Sequence, residues 1–275
     1  MRKPKKTKDR ASGPTMAARA DKHVLYEEAV QCSEAEIDFV NNTFKQLRKR
    51  PAYLLREDFC GTANSSCEWV RRAAGNRAIG VDLDTEVQQW GRDHHIAGLT
   101  ESQQKRIELI HGDVMQVETE PVDVVLAMNF SYWIFKQRAV LIRYFQRVYD
   151  SMVEDGVLFM DCFGGYESFE ERKEPRPYDD FTYVWHQAKY NPITGDYRCK
   201  IHFKFDDGSM LKNAFVYEWR LWTLPELVDI LAEIGYRPSV YWEGTDEDSE
   251  GDGVFTRTQK GEADPAWIAY IVAEK

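Results

Sequence analysis

The sequence predicts a doubly wound α/β unit carrying an inserted antiparallel β meander and a C-terminal β hairpin. Three observations predict it. Near-continuous apolar runs alternate with amphipathic helical patterns over residues 50–165, the signature of a parallel sheet covered by helices on both faces. Period-2 alternation takes over in residues 181–222, broken by the turn sequences "NPITG" and "DDGS". The chain closes with a helical pattern and two apolar strands, "SVYWEG" and "WIAYIVAEK", around an acidic loop.

The elements follow in order. Residues 1–22 open with "MRKPKKTKDR", a basic stretch with no apolar segment behind it, so it is not a secretory signal. A disordered, solvated tail is expected; a nuclear address or an arm for an acidic partner are the alternatives. Residues 23–165 then form the α/β unit. Val30, Ile37, Val40, Phe44 and Leu47 recur at helical spacing, predicting a helix from Leu25 to Leu47 whose main part starts at a Ser33–Glu36 capping box. Strands are predicted at 52–58, 77–84, 106–114, 122–130 and 156–163, with helices at 64–75, 85–98 and 138–153 between them. Asp84 is placed to cap the second of these helices. Residues 166–222 form the insert: a charged lead-in, "ESFEERKEPRPYDD", and three strands. Residues 223–275 return to the sheet through a helix capped by Thr223 and Glu226 and stopped at Gly235.

Composition narrows the function. The 275 residues are 43% hydrophobic with eight Trp and fourteen each of Tyr and Phe, enough for a large core and an aromatic-lined pocket. A formal net charge of −10 argues against nucleic acid as the main partner, because phosphate binding needs a basic surface. The chain has no run of about 18 apolar residues, so no membrane span is expected. Five scattered cysteines without metal-ligand spacing fit reduced thiols and a cytoplasmic location. The histidines do not cluster, and no metal site is expected. "DEDSEGDG", residues 246–253, starts like a calcium loop, but its twelfth position is Arg257 and the pattern fails.

The informative stretch is "REDFCGTANSS", residues 56–66, the first strand–turn–helix of the sheet. Ligands of doubly wound sheets bind beyond the carboxyl ends of the strands, and Gly61 lets backbone approach them closely. A dinucleotide loop requires G-x-G-x-x-G. Here Phe59 stands at the first glycine position and no third glycine follows, which serves a ligand without pyrophosphate better. Asp82 ends the second strand 21 residues after Gly61, near the spacing of nucleotide-binding βαβ units. Gly112-Asp113-Val114 ends the third strand, and "MNFSYW" follows the fourth.

These motifs together resemble those of the class I methyltransferases that use S-adenosylmethionine. The family's first motif, an acid followed by x-G-C-G-T-G, is similar to Glu57-Asp58-Phe59-Cys60-Gly61-Thr62-Ala63, with Phe59 and Ala63 replacing the flanking glycines. The resemblance spans about residues 50–165 and the closing strands. It implies a Rossmann-like methyltransferase sheet, with S-adenosylmethionine as cofactor and S-adenosylhomocysteine as product. It also implies cofactor contacts from Glu57, Phe59, Cys60, Gly61, Thr62, Ala63, Asp82, Leu83, Asp113, Val114 and Asn129. Asp82 would accept from the ribose hydroxyls and Asp113 from the adenine amine.

An antiparallel insert after the fifth strand resembles that of small-molecule N-methyltransferases, where an added lobe roofs the site. A small-molecule acceptor is therefore expected, and the lobe leaves room for oligomerisation. Asn129, Tyr132 and His186 are the candidates for catalysis, and Tyr26, Trp133 and Trp185 for the substrate wall. "NFSY" resembles the Asn-Pro-Pro-Tyr loop of enzymes that methylate exocyclic or amide nitrogens, but it lacks both prolines. That substrate class is not carried over. The alternatives are a protein or RNA methyltransferase that uses the basic tail, and a non-catalytic methyltransferase-like binding module.

Overall fold

The computed structural model describes residues 13–245 and 251–275. The basic segment 1–12 and most of the acidic "DEDSEGDG" loop lie outside the described residues. The elements, in chain order, start with helices α1 (Met16–Arg19), α2 (Lys22–Val30) and α3 (Ser33–Arg48), followed by strand β1 (Leu54–Asp58). Next come α4 (Asn64–Arg72), β2 (Arg77–Asp82), α5 (Thr85–His94), the short α6 (Glu101–Gln104), β3 (Ile107–His111) and β4 (Val122–Ala127). Then follow α7 (Arg138–Ser151) and the long β5 (Met152–Gly164). The insert holds β6 (Arg172–Pro177), β7 (Phe181–Tyr190), β8 (Asp196–Phe205) and β9 (Met210–Arg220). The chain ends with α8 (Leu224–Ile234), β10 (Arg237–Thr245), β11 (Gly251–Thr258) and β12 (Trp267–Glu274).

The main sheet has eight strands in the order β11-β10-β12-β5-β4-β1-β2-β3. The ladders joining β1 to β5 are parallel, whereas β12 and β10 run antiparallel to their neighbours. The chain reverses its direction of travel across the sheet between β1 and β4, so the carboxyl ends of these two neighbours open a crevice. One apolar layer, with Val125, Phe145, Val148, Leu158 and Leu227, fills the α7–α8 face. Ile37, Val40 and Phe44 of α3 pack with Trp69 and Val70 of α4 against the other face. Each large side chain so buried contributes about 1.5–3 kcal/mol.

Four parts differ from the sequence reading. The insert is a four-stranded sheet, β6-β7-β8-β9, because the charged lead-in pairs with β7 from Arg172↔Gln187 to Pro177↔Thr182. An edge strand needs ladder bonds on one side only, so it tolerates Pro175, Pro177 and an all-charged pattern that hides it in the sequence. β11 likewise adds an edge strand beyond the expected hairpin. The helix expected from Leu25 to Leu47 is two, parted at Gln31, whose backbone is extended. The Ser33–Glu36 capping box does not form: Cys32 is the N-cap, without a side-chain bond, while the Ser33 and Glu36 side chains turn to Ser65. Residues 13–22, read with the tail, include the ordered turn α1, whose Met16 and Ala17 N–H groups donate to Asp207 and Ser209 of the insert. Asp84 and the Thr223–Glu226 box cap α5 and α8 as expected.

A contact in α5 holds the first loop of the sheet in place. A Cβ on Gly91 would lie 2.2 Å from the Thr62 carbonyl oxygen, so α5 rests its backbone directly on that loop. Alanine favours a helix interior over glycine by about 1 kcal/mol, yet Gly91→Ala is expected to destabilise the protein by about 1–3 kcal/mol through overpacking. Urea denaturation checks this; a midpoint at or above that of wild type would show that the loop yields freely.

Candidate active site

The loop from Asp58 to Asn64 reverses the chain between β1 and α4. Phe59, Gly61 and Ala63 all lie in the left-handed region, at φ 59°, 51° and 59°. Phe59 and Ala63 thus adopt a conformation that glycine reaches without steric penalty, at a cost of about 1–2 kcal/mol each. What holds them is a set of hydrogen bonds. The Cys60 N–H donates to Val81 O at 3.0 Å, and the Ala63 N–H to Cys60 O at 2.7 Å. The Gly61 N–H donates to the Asp82 carboxylate at 2.8 Å. Cys60 is buried with its sulfur against Gly80, where a Cβ would come within 2.9 Å; burial pushes its thiol pKa well up. Its part is packing beneath the loop.

Asp82 does two tasks at once, since its other oxygen accepts from the Asp84 N–H at 2.9 Å. Asp113 closes a similar turn by accepting from the Met115 N–H at 2.8 Å. Phe59, Asp82, Leu83, Gly112, Asp113, Val114, Ile134 and Phe135 line one groove at the carboxyl ends of β1, β2 and β3. Leu83 is 63% exposed and Ile134 46% exposed, so the groove has two bare aliphatic walls beside two carboxylates. That chemistry fits an adenosine, whose flat ring takes apolar cover and whose hydroxyls and amine donate to carboxylates.

Glu57 points the other way, to the start of α4, where its carboxylate accepts from the Ser66 N–H at 2.9 Å and from the Ser66 hydroxyl. Burial pushes its pKa up to about 7. Burial does the same to Glu36, also to about 7, against hydrogen bonds from Ser65 and the Cys32 N–H. Asp161 of β5 is a third such acid, again at about 7 through burial. Its two oxygens accept from the Asn129 and Phe130 N–H groups at 2.7 and 2.9 Å. The charge of Glu36 adds to the cost of ionising both Glu57 and Asp161. Asp58, by contrast, turns to the opposite face of β1 and is ion-paired to buried Arg56 at 2.8 Å.

α2 and the insert pack together as a roof against the loop after β1. Glu27 of α2 accepts from the Thr62 hydroxyl at 2.5 Å and meets His95 at 2.7 Å, so the Thr62 side chain is committed to the roof. Tyr26 lies 4.8 Å from the Phe215 ring and shares an apolar cluster with Tyr217. Trp185 is half-buried and bridges the two apolar clusters that join the insert to the α/β unit. Tyr26 and Trp185 are thus brought to one interface.

Three sequence-based candidates fall outside it. Tyr132 is fully buried and donates its hydroxyl to the Asp161 carbonyl at 2.6 Å, and burial raises its pKa well above the ordinary value; it is a tether, not a base. Trp133 is fully buried among Phe130, Phe163 and Trp219, with no face left for a substrate. His186 neighbours Trp185 in sequence, and successive residues of a strand point to opposite faces. It therefore sits on the outer face of the insert, 3.1 Å from His202, its pKa lowered by burial and by Lys173 and Lys200. Asn129 alone of the three catalytic candidates stays at the crevice, beside the loop after β1, because β4 pairs with β1.

The sequence reading missed Asp161, Glu36, Glu27 and the Ile134–Phe135 wall. A lone acid inside the apolar run "GVLFMDCF" was the available signal for Asp161, since unpaired acids are rarely buried. Glu27 and Ile134 carried no such mark.

The sequence matches no family model and no curated protein. Solved structures do match. An S-adenosylmethionine-dependent methyltransferase from Clostridium acetobutylicum superposes with a TM-score of 0.68 at 15% identity, over 92% of this chain and 96% of the other. An amino pentose methyltransferase from Micromonospora echinaspora, solved with S-adenosylmethionine, gives 0.65 at 15% identity over 92% and 95%. A sugar N-methyltransferase from a Streptoalloteichus species gives 0.61 at 17% identity over 98% and 97%. The chain therefore has the Rossmann-like methyltransferase fold with an inserted antiparallel lobe. Among the described residues, no helix is long and apolar enough to cross a membrane.

The buried acids make a testable electrostatic signature. The folded-state pKa of Glu36, about 7, lies above its ordinary 4.5. Its contribution to stability is therefore full below pH 4.5 and lost as pH rises to about 7. Glu36→Gln cannot titrate. The wild type should lose on the order of 2 kcal/mol relative to this variant between pH 5 and 8, read by denaturation at each pH. A difference that stays flat over that range would remove Glu36 from the account.

Proposed function

We infer that the protein is an S-adenosylmethionine-dependent methyltransferase acting on an amine of a small molecule. The observation that carries the reading is the shared groove, in which Asp82, Asp113 and the left-handed loop converge at the carboxyl ends of three adjacent parallel strands. Bound S-adenosylmethionine would supply a methyl group on a sulfonium, which is its own leaving group. The chain's residues would supply alignment. Asp82 would hold the ribose, Asp113 the adenine amine, and Leu83, Val114 and Ile134 the faces of the ring. The first turn of α4 would not take the cofactor's carboxylate, because Ser66 is held by Glu57 and Ser65 by Ser33 and Glu36.

An amine acceptor is favoured by what surrounds the crevice. Tyr26, Tyr183, Trp185 and Tyr217 lie on the inner side of the roof, and aromatic faces attract ammonium groups and their methylated products. Asp161 and Glu36 act on the Tyr26 hydroxyl from nearby, and an ammonium bound there would favour the ionised form of both acids. The neighbours solved with this fold include enzymes described as amino pentose and sugar N-methyltransferases, which agrees with that chemistry. With no Lys or Arg among the described residues that line the groove and the chain at −10 overall, RNA is a poor fit as acceptor.

Two outcomes test the reading. S-adenosylhomocysteine should bind in calorimetry and NAD should not, and Asp82→Ala should weaken that binding about tenfold to a hundredfold, by roughly 1.5–3 kcal/mol, with the fold retained. Binding of NAD alone would overturn the cofactor assignment. In a methyl-transfer screen over small amines, carboxylates and alcohols, amines should be the substrates. Once one is found, Trp185→Leu should raise its KM while His186→Ala leaves turnover within about twofold. The reverse pattern would place the acceptor on the outer face of the lobe.

A further inference from the structure

The loop after β4 carries an unusual conformation. Asn129 and Phe130 both have φ 56°, two successive non-glycine residues in the left-handed region. Asparagine visits that region with some ease, whereas a bulky aromatic residue does so only when its surroundings dictate it. The Met128 carbonyl accepts from the Ser131 hydroxyl at 2.9 Å, and the chain then runs into the short turn Ser131–Ile134. That turn delivers Ile134 to the wall of the groove. The conformation of two residues thus sets both the crevice side of the loop, at Asn129, and the groove side, at Ile134.

One carboxylate dictates that conformation. The paired N–H groups of Asn129 and Phe130 form a concave donor pair, the kind of backbone nest that receives an anion. Asp161 fills it from β5 with one oxygen on each N–H. The backbone carbonyl of the same residue takes the Tyr132 hydroxyl, so the loop is tethered to Asp161 at three points. Asp161 is 7% exposed, and it interrupts the apolar run 157–163 in the second half of β5. We propose that Asp161 is the positioning residue of the methyl-transfer site, fixing the Asn129–Phe130 turn so that Asn129 and Ile134 stand correctly against acceptor and cofactor. The proposal rests on the methyltransferase reading above.

The groups facing Asp161 are Glu36 of α3, Tyr26 of α2, Tyr132 of the loop, and its own neighbour Cys162. Tyr270 of β12 lies directly across the ladder. None of them is a cation, so backbone N–H groups, those of Asn129 and Phe130 and its own, are what compensates the ionised form. Protonation gives up one of the two acceptor oxygens and opens the clamp. Because burial pushes the acid up to about 7, that opening falls in an accessible pH range.

Asp161→Asn is the informative change. It preserves shape, but the amide has one acceptor oxygen, and its NH2 would face a backbone N–H. Hydrogen exchange, corrected for intrinsic rates, should show residues 128–134 exchanging at least tenfold faster in the variant at pH 8. In the wild type the same protection should fall as pH drops below about 7, and in the variant it should not change with pH. Turnover should fall about tenfold to a hundredfold, with S-adenosylhomocysteine affinity changed by less than about fivefold. Tyr132→Phe removes only the third tether, and its loss of turnover should be smaller by about tenfold. Unchanged exchange in Asp161→Asn, or a loosened loop with wild-type turnover, overturns the proposal. So does a Tyr132→Phe defect as large as that of Asp161→Asn. A wild type that binds no S-adenosylhomocysteine overturns the methyltransferase reading itself, and this assignment with it.

Discussion

The site depends on a reversal of the chain within five residues, at the point where β1 must hand over to α4. Such a turn cannot be made with ordinary backbone, so Phe59, Gly61 and Ala63 enter the left-handed region. Only one of the three is glycine. The other two are held against their preference by the Gly61 N–H bond to Asp82, by the ladder bond from Cys60 to Val81, and by the backbone of α5 lying on Thr62 through Gly91. Every other feature of the groove is placed relative to that turn.

The same device appears twice. After β1, an acid on the neighbouring strand β2 receives a loop N–H. After β4, an acid on the neighbouring strand β5 receives two. In both cases adjacency in the parallel sheet brings a carboxylate across to a turn it does not belong to. This is why strands with few polar residues can still support irregular loops, since buried backbone donors must find partners.

The interior beneath the roof is acidic. Glu36, Glu57 and Asp161 are each pushed up to about 7, so much of their charge is suppressed near neutral pH in the bare protein. A cation entering this region would draw those protons off and be bound more tightly for it. The roof that would enclose such a cation is assembled from distant parts of the chain. α1 is tied to the β8–β9 turn by Asp207 and Ser209, while α2 is tied to the α/β unit by Glu27 and by Asp21, which accepts from Trp90 at 2.7 Å.

The sequence by itself determined the alternating α/β core, the position of the insert and the acids that end β2 and β3. Each of these is written in local periodicity, in a turn residue or in a fixed spacing, and the caps at Asp84 and Thr223 belong to the same class. It did not reveal β6 and β11, because edge strands lack the apolar alternation that marks a strand. It placed Tyr132 and Trp133 in the site because they follow β4, although both point into the core, and it placed His186 there although strand alternation turns it outward. Tertiary structure alone decided these, together with the clamp of Asp161 on Asn129 and Phe130. A hydrogen bond across 32 residues of sequence leaves no periodic trace, and it exists only once β4 and β5 lie side by side.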